Sequence, residues 1–349
     1  MFKGDAEGSR WGSFVPPKAG LRMTQVEHML SSFIARKKVV VTDPSRQELA
    51  KAFWDKDGLI WVDLEDPTEF ESEIMIELFN FHPLAIEDCL MDHSEPKLDD
   101  YDEHLFLVTH EMAETADEEL KTIELDLFVS KSYVVTFHKA PLPSITQLRD
   151  QIRRENGSTV LEGTDTLVHA ILDRLVDHYL PILTEHERRI DEIEERLFAA
   201  RADDFLRRIL KIQKDVLFLK RMMSPQRETI SHLSRSARSF VRPKNLIYFR
   251  DIYDHLFRYH QMAEELHGMV NGILQIHFSH VSHRLNQVIK TMTVIATLAL
   301  PMIVVSGIYG MNFAHMPELE WRYGYFFVIG LMVLISVSLL SWMKMKKWL

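Results

Sequence analysis

The 349-residue chain has a single cysteine, Cys89. One thiol makes no intrachain disulfide and no cysteine-based zinc site, so neither holds this fold together. Basic charge is not in excess either. Forty-one Lys and Arg stand against 51 Asp and Glu, for a formal net charge of −10. A nucleic-acid binder needs a basic face to replace phosphate counterions, and this balance argues against one. No short basic segment followed by an apolar run opens the chain, so no cleaved signal peptide is expected. There is no GxxxxGK[ST] phosphate loop, no HExxH and no GxSxG elbow. Neither ATP use nor enzymatic catalysis is therefore expected. With 46% hydrophobic and 26% charged residues, the composition is that of a globular chain, not a disordered or collagen-like one.

What the sequence does have is concentrated at one end. Met292 to Ile308 and Tyr323 to Trp342 contain no acidic or basic residue. Each run has the roughly 17–20 residues needed to cross a hydrocarbon core of about 30 Å. Arg284 and Lys290 precede the first run, and Lys344, Lys346 and Lys347 follow the second. The connecting loop has Arg322 against Glu318 and Glu320. The positive-inside rule then places both termini in the cytoplasm and the connecting loop outside, in a multi-pass membrane protein.

Ahead of the spans, two kinds of pattern succeed each other. VVVT (39–42), LIWVDL (59–64), HLFLVTHEM (104–112), IELDLFV (123–129) and SYVVTFH (132–138) read as strands, the last two antiparallel around Ser130-Lys131. Helices are expected over 44–54, with Pro44 in the first turn, and over 69–80, while 1–35 reads as weakly structured. From about 164 the period turns helical, with one segment to about 199 and another over 203–235. No proline lies between Pro243 and Pro301, so Lys244 to about Ile308 reads as one helix of some 65 residues, about 100 Å long. A helix that long with an apolar stripe implies bundling with other chains.

The expected organisation is an α+β domain at 1–160 and a helical hairpin at 161–243. A stalk follows at 244–290, then spans at 291–310 and 323–343 around a loop at 311–322, and a basic tail at 344–349.

At the outer end of the first run stand Tyr309, Gly310, Met311, Asn312 and Phe313, then Met316, Pro317, Glu318 and Leu319, and the chain ends Lys346-Lys347-Trp348-Leu349. This combination resembles the CorA family of magnesium and cobalt channels. His82 to Asp88 and Tyr248 to His255 resemble further family signatures, so the likeness covers nearly the whole chain. The resemblance implies an α/β/α sandwich-like cytoplasmic domain, a long stalk and two C-terminal transmembrane helices, assembled as a funnel-shaped homopentamer in lipid. Five first-span helices would line one pore, with Gly310, Met311 and Asn312 as its selectivity ring. The ions implied are Mg²⁺ and Co²⁺, with Ni²⁺ possible by the same chemistry. By the same resemblance Asp88 and Asp251 of neighbouring subunits would share a regulatory Mg²⁺, with Asp173 at a second ion nearby.

The chemistry suits that reading. Magnesium keeps its water shell, and a ring of neutral amides accepts hydrogen bonds from those waters without stripping them. Asn312 offers the amide, although a helix C-terminal cap is its ordinary role. Glu318 would raise the local cation concentration, or is a plain solvated loop charge. Helical spacing puts Asn286, Ile289, Met292 (or Thr293), Ala296, Leu300, Ile303 (or Val304) and Gly307 on the pore face, where apolar rings close by dewetting. Pro301 is a flex point. Gln275 and Ile303 stand where some relatives carry an acidic residue and a threonine.

His277, His280 and His283 read as a polar stalk face or as ligands for Co²⁺, Ni²⁺ or Zn²⁺. Two rival readings stay open: a Zn²⁺ transporter on the same scaffold, and a membrane-anchored sensor or scaffold that conducts nothing.

Overall fold

The computed structural model describes residues 30–36, 39–56, 58–91, 95–115, 119–155, 160–195, 202–235, 240–312, 316 and 321–346. The expectations for residues 1–29, Glu318, Glu320 and Lys347 lie outside these. The described residues divide into two compact units: one up to Tyr179 together with Met222–Phe257, the other Leu180–Arg221 together with Arg258 onward.

The first unit is built on a seven-stranded sheet. Its strands are β1 (Leu30–Arg36), β2 (Val39–Thr42), β3 (Leu59–Glu65), β4 (Lys97–Asp100), β5 (Leu105–Glu114), β6 (Leu120–Val129) and β7 (Tyr133–His138), in the order β2-β1-β3-β7-β6-β5-β4. Every pairing is antiparallel except β3 with β7. Both faces are buried. One carries Ile60, Val62, Leu64, Phe106, Val108, Phe128 and Val135 against α1 (Arg46–Asp55), α2 (Glu69–Glu77) and α3 (Pro83–Leu90). There Phe81 stacks on Phe128 with ring centroids 3.9 Å apart. On the other face lie α4 (Pro143–Glu155), whose Arg149 reaches Asp63, and α5 (Thr164–Asp177), which packs on β5 and β7. The result is the α/β/α sandwich that the resemblance implied.

Local signals explain the helix starts. Ser45 with Glu48, and Thr68 with Glu71, form reciprocal capping boxes at α1 and α2. Pro44 therefore precedes the cap and does not occupy the first turn. Gly58 turns the chain into β3 at φ 97°, and a Cβ there would sit 2.2 Å from the Ala35 carbonyl oxygen. β4 is short and leaves part of the β5 edge open. Side chains close it: the His110 N–H donates to Gln226 Oε1 at 3.3 Å, and the Tyr179 hydroxyl donates to the His110 carbonyl at 2.5 Å.

The helix expected over 164–199 is two helices, α5 and α6 (Tyr179–Glu195), meeting at His178. His178 Nδ1 is tied to the buried Glu111 carboxylate, and the next residue, Tyr179, is tied to β5. These two anchors hold the junction. β1, β4, α3 and α4 are additions to the sequence-based reading. β1 replaces the end of a stretch expected to be weakly structured.

The second unit is helical. Leu183 and Ile190 of α6, Ile209, Val216 and Leu219 of α7 (Ala202–Arg235), and Ala263, Leu266 and Val270 of α8 (Leu246–Tyr309) are all buried. Lys220 pairs with Glu264 at 2.7 Å, Gln213 Nε2 donates to Asn271 at 3.0 Å, and His277 stacks on Phe205 at 4.5 Å. α8 runs unbroken for 64 residues through Pro301, as the spacing predicted. α9 (Gly324–Met345) follows.

Candidate functional site

The apolar end of α8 and the whole of α9 are each long and apolar enough to cross a membrane, and only 0% and 6% of their most apolar windows is buried. At about 100° per residue, the expected pore-face residues Ile289, Met292, Ala296, Leu300, Ile303 and Gly307 fall within one stripe about 80° wide, with Asn286 just beside it. All seven are exposed; Leu300 is 66% and Ile303 69% accessible. The half-buried residues Val294, Leu298, Pro301, Val305 and Tyr309 recur on the opposite side. That side is partly shaded, whereas the candidate pore face is exposed at all seven positions. The hydroxyls of Thr291 and Thr293 are turned back onto the carbonyls of Gln287 and Ile289, so neither adds polarity to that face.

The helix ends where the signature begins. The Gly310 N–H donates to Ser306 O at 2.9 Å and that of Met311 to Ile308 O at 3.3 Å, after which Asn312 leaves the helix. Met311 and Asn312 are exposed, and the Asn312 amide has no hydrogen-bond partner among the described residues. It is not spent on capping α8. Glu318 lies outside the described residues.

The acidic residues singled out from the sequence are in the first unit. Asp173, Asp177 and His255 offer ligand atoms that all lie within 4.8 Å of one another. Asp173 and Asp177 are one turn apart on α5, and His255 comes from α8. Asp251 is one turn before His255, 3.9 Å from its Nε2, with a side chain 65% exposed. Burial, then the neighbouring Asp173 charge, pushes the Asp177 carboxyl above its ordinary range. His169, packed edge-on against Tyr248, is pushed down by burial against the opposing pull of Asp173 and Asp251. Two carboxylates and an imidazole at this separation fit a divalent ion whose remaining positions are filled by water. Sequence reasoning found Asp173 and Asp251 but missed Asp177 and His255; the (i, i+4) spacing from each was the available signal.

Asp88 sits elsewhere in the unit. It is on α3, and its Oδ2 accepts from Lys97 Nζ at 2.6 Å. Within one chain no bond joins it to Asp251 among the described residues. A second carboxylate–imidazole group, Asp63, Glu65 and His138, is already held by protein. Arg149 bonds Asp63 and Glu65 at 2.9 Å each, and Thr136 donates to Asp63 at 2.6 Å, so this group is structural. His277, stacked on Phe205, joins no cluster of metal-ligand geometry among the described residues. On α6, Glu192 pairs with Arg188.

An α/β/α sandwich, a long helix whose end is apolar enough to cross a membrane and a second helix of the same kind are the architecture of a two-span membrane protein. The sequence profile described as CorA-like Mg²⁺ transporter protein matches residues 56–347, and the chain belongs to that family. It is 34% identical over 288 residues to YfjQ of Bacillus subtilis, covering 82% of this chain and 89% of that one. It is 32% identical over 274 residues to the cobalt/magnesium transport protein CorA of Thermotoga maritima, covering 78% of each. The complete structure of the CorA magnesium transporter from Methanocaldococcus jannaschii superposes with a TM-score of 0.79 at 20% identity, over 93% of this chain and all of that one.

Proposed function

We propose that the chain forms a homopentameric channel that admits Mg²⁺, and also Co²⁺, across the plasma membrane. Both termini would be cytoplasmic and the Gly310-Met311-Asn312 loop outside. One observation carries the proposal. The exposed stripe of α8 from Asn286 to Gly307 has no acidic residue and leads to an exposed amide, Asn312, that has no hydrogen-bond partner among the described residues. Acidic side chains along such a path would hold a divalent ion too tightly for rapid release. A ring of amides orders the ion's water shell and lets it go. Ile289, Met292, Leu300 and Ile303 would form the apolar rings that dry and close the path. A membrane potential of 100 mV supplies about 4.6 kcal/mol for an inward dication, so no ATP is required.

Regulation follows from the acidic residues. Asp88 of one copy and Asp251 of the next would share a divalent ion, and Asp173, with Asp177 and His255, would hold another. When internal Mg²⁺ is plentiful these ions bridge like charges between copies and favour the closed state. When it is scarce, repulsion loosens the assembly and the path opens.

The test is Mg²⁺ entry into proteoliposomes loaded with a Mg²⁺-sensitive dye, wild type against Asn312→Ala. Rapid entry that falls at least tenfold in the variant is the expected result. Entry of Zn²⁺ but not Mg²⁺ would replace the ion assignment, and entry of neither would leave a non-conducting anchor. A double Asp88→Ala, Asp251→Ala channel is expected to stay open at internal Mg²⁺ that closes the wild type. Unchanged inhibition would remove the regulatory reading.

A further inference from the structure

The Asp88 carboxylate already holds a cation, and that cation is part of the chain. Lys97 Nζ lies 2.6 Å from Asp88 Oδ2 and 3.2 Å from Asp99 Oδ2. The ammonium thus bridges a carboxylate on α3 and a carboxylate on its own strand, β4. Its stem is placed by the sheet, for Nζ stands 5.6 Å from the centre of the Phe106 ring. The pair is only partly covered, with Lys97 35% and Asp88 27% exposed, so the site is open to ions from solvent.

We propose that Lys97 is a tethered competitor for the divalent ion at Asp88, and so sets the internal Mg²⁺ concentration at which the channel closes. The inference rests on the reading of Asp88 as a regulatory ligand. An ammonium 2.6 Å from Asp88 Oδ2 opposes a divalent ion on the same carboxylate, because two cations so close repel strongly. Metal binding therefore works against the Lys97 contact, and the apparent affinity is reduced by the fraction of time that the lysine is bound. A partly exposed ammonium held by two carboxylates is expected to reduce it by about three- to tenfold. The effect serves a sensor of an abundant ion. Without the competitor, the site would fill at a correspondingly lower Mg²⁺ concentration. Asp99 belongs to the same device, since it holds the ammonium while Asp88 is exchanged to the metal.

The experiment measures initial ion entry into proteoliposomes against internal free Mg²⁺ for full-length wild type, Lys97→Met, Lys97→Arg and Asp88→Asn. Lys97→Met is expected to lower the half-inhibiting Mg²⁺ by about three- to tenfold. Structural damage would not produce tighter inhibition. Lys97→Arg, which pairs with the carboxylates at least as well, is expected to leave the value unchanged or raise it. The rise in thermal stability with added Mg²⁺, measured on the detergent-solubilised full chain, should shift to lower Mg²⁺ in Lys97→Met as well. It reads the same affinity without flux. An unchanged or raised half-inhibiting concentration in Lys97→Met, while Asp88→Asn does weaken inhibition, overturns the competitor and leaves the Asp88 ligand standing. A fall in Lys97→Arg equal to that in Lys97→Met also overturns it. If Asp88→Asn itself changes nothing, the reading beneath the proposal fails.

Discussion

The sandwich and the spans use the same side chains in opposite ways. In the sheet Trp61, Phe106, Phe128 and Val135 are entirely buried, whereas in the spans Leu300 is 66%, Ile303 69% and Phe326 71% exposed. The sandwich completes its own core, so its strands and helices contain the reason for their arrangement. The last turns of α8 and all of α9 present continuous apolar surface that water would not tolerate, and its cover must come from lipid or from other copies. One region is therefore stabilised by its own sequence, and the other by its surroundings.

The contrast can be broken most forcefully at its two extremes. Phe128→Ala should cost the sandwich about 3–5 kcal/mol in denaturant unfolding of the detergent-solubilised chain, whereas Leu300→Ala should leave that transition where it is. Comparable losses would mean that the two regions share one core. A smaller effect is expected at Asp165, where Arg242 and Asn245 converge on one buried carboxylate. Burial opposes its charge, but the Arg242 hydrogen bonds prevail and hold the carboxyl below the ordinary aspartate range. Its contribution is present above the unfolded aspartate value near 4 and lost as pH falls through the depressed folded value. Because Arg242 is partly exposed, Asp165→Asn should cost about 1–3 kcal/mol at neutral pH and less in acid.

Asp126 titrates in the opposite sense. Burial first, then the Glu124 charge, pushes its carboxyl up to about 8, and one of its oxygens has no hydrogen-bond partner among the described residues. The folded chain holds a proton that the unfolded chain releases, so stability falls as pH rises from near 4 and levels off above about 8. Asp126→Asn should flatten that slope and stabilise the chain at pH 8 by about 1 kcal/mol or more. His178 is gentler. Its bond to Glu111 raises the imidazole above 6.5, so the contribution is full below that pH and is lost as pH rises through the folded value. His178→Gln should remove this part of the pH profile. The smallest effect belongs to Arg188 on α6, whose exposed pairs with Glu185 and Glu192 should leave the melting temperature unchanged when it is replaced by Ala.

How much of this was legible follows the same division. The central strands and the long helix were readable because apolar period and length leave little alternative. β7 and β3 are runs of Val, Ile and aromatic residues, and α8 has no proline before Pro301. β4 was not readable, since Lys-Leu-Asp-Asp becomes a strand only because β5 lies beside it. β1 was hidden because Phe33, Ile34 and Ala35 are consecutive buried residues after two serines, without alternation. α4 carries a readable apolar stripe, Ile145, Leu148 and Ile152, all of it buried. Among the site residues, Asp88, Asp251 and Asn312 stood in recognisable motifs, and Asp173 was implied by the resemblance alone. Asp177 and His255 were marked only by their (i, i+4) spacing from Asp173 and Asp251, and Lys97 acquires meaning only when β4 is folded.

The sheet order also bears on how the chain reaches its fold. β2-β1-β3 on one side and β7-β6-β5-β4 on the other are each joined by antiparallel pairings, while the parallel seam between them joins Ile60 to Tyr133, about 70 residues apart in the chain. Each half can form from nearby sequence, but closing the seam carries the loop entropy and comes late. Substitutions within β5–β6 should therefore act mainly on how fast the half-sheet assembles. Those at the seam should govern the final step, where two preformed halves become one sheet and the bed for Lys97 and the Asp88 helix is completed.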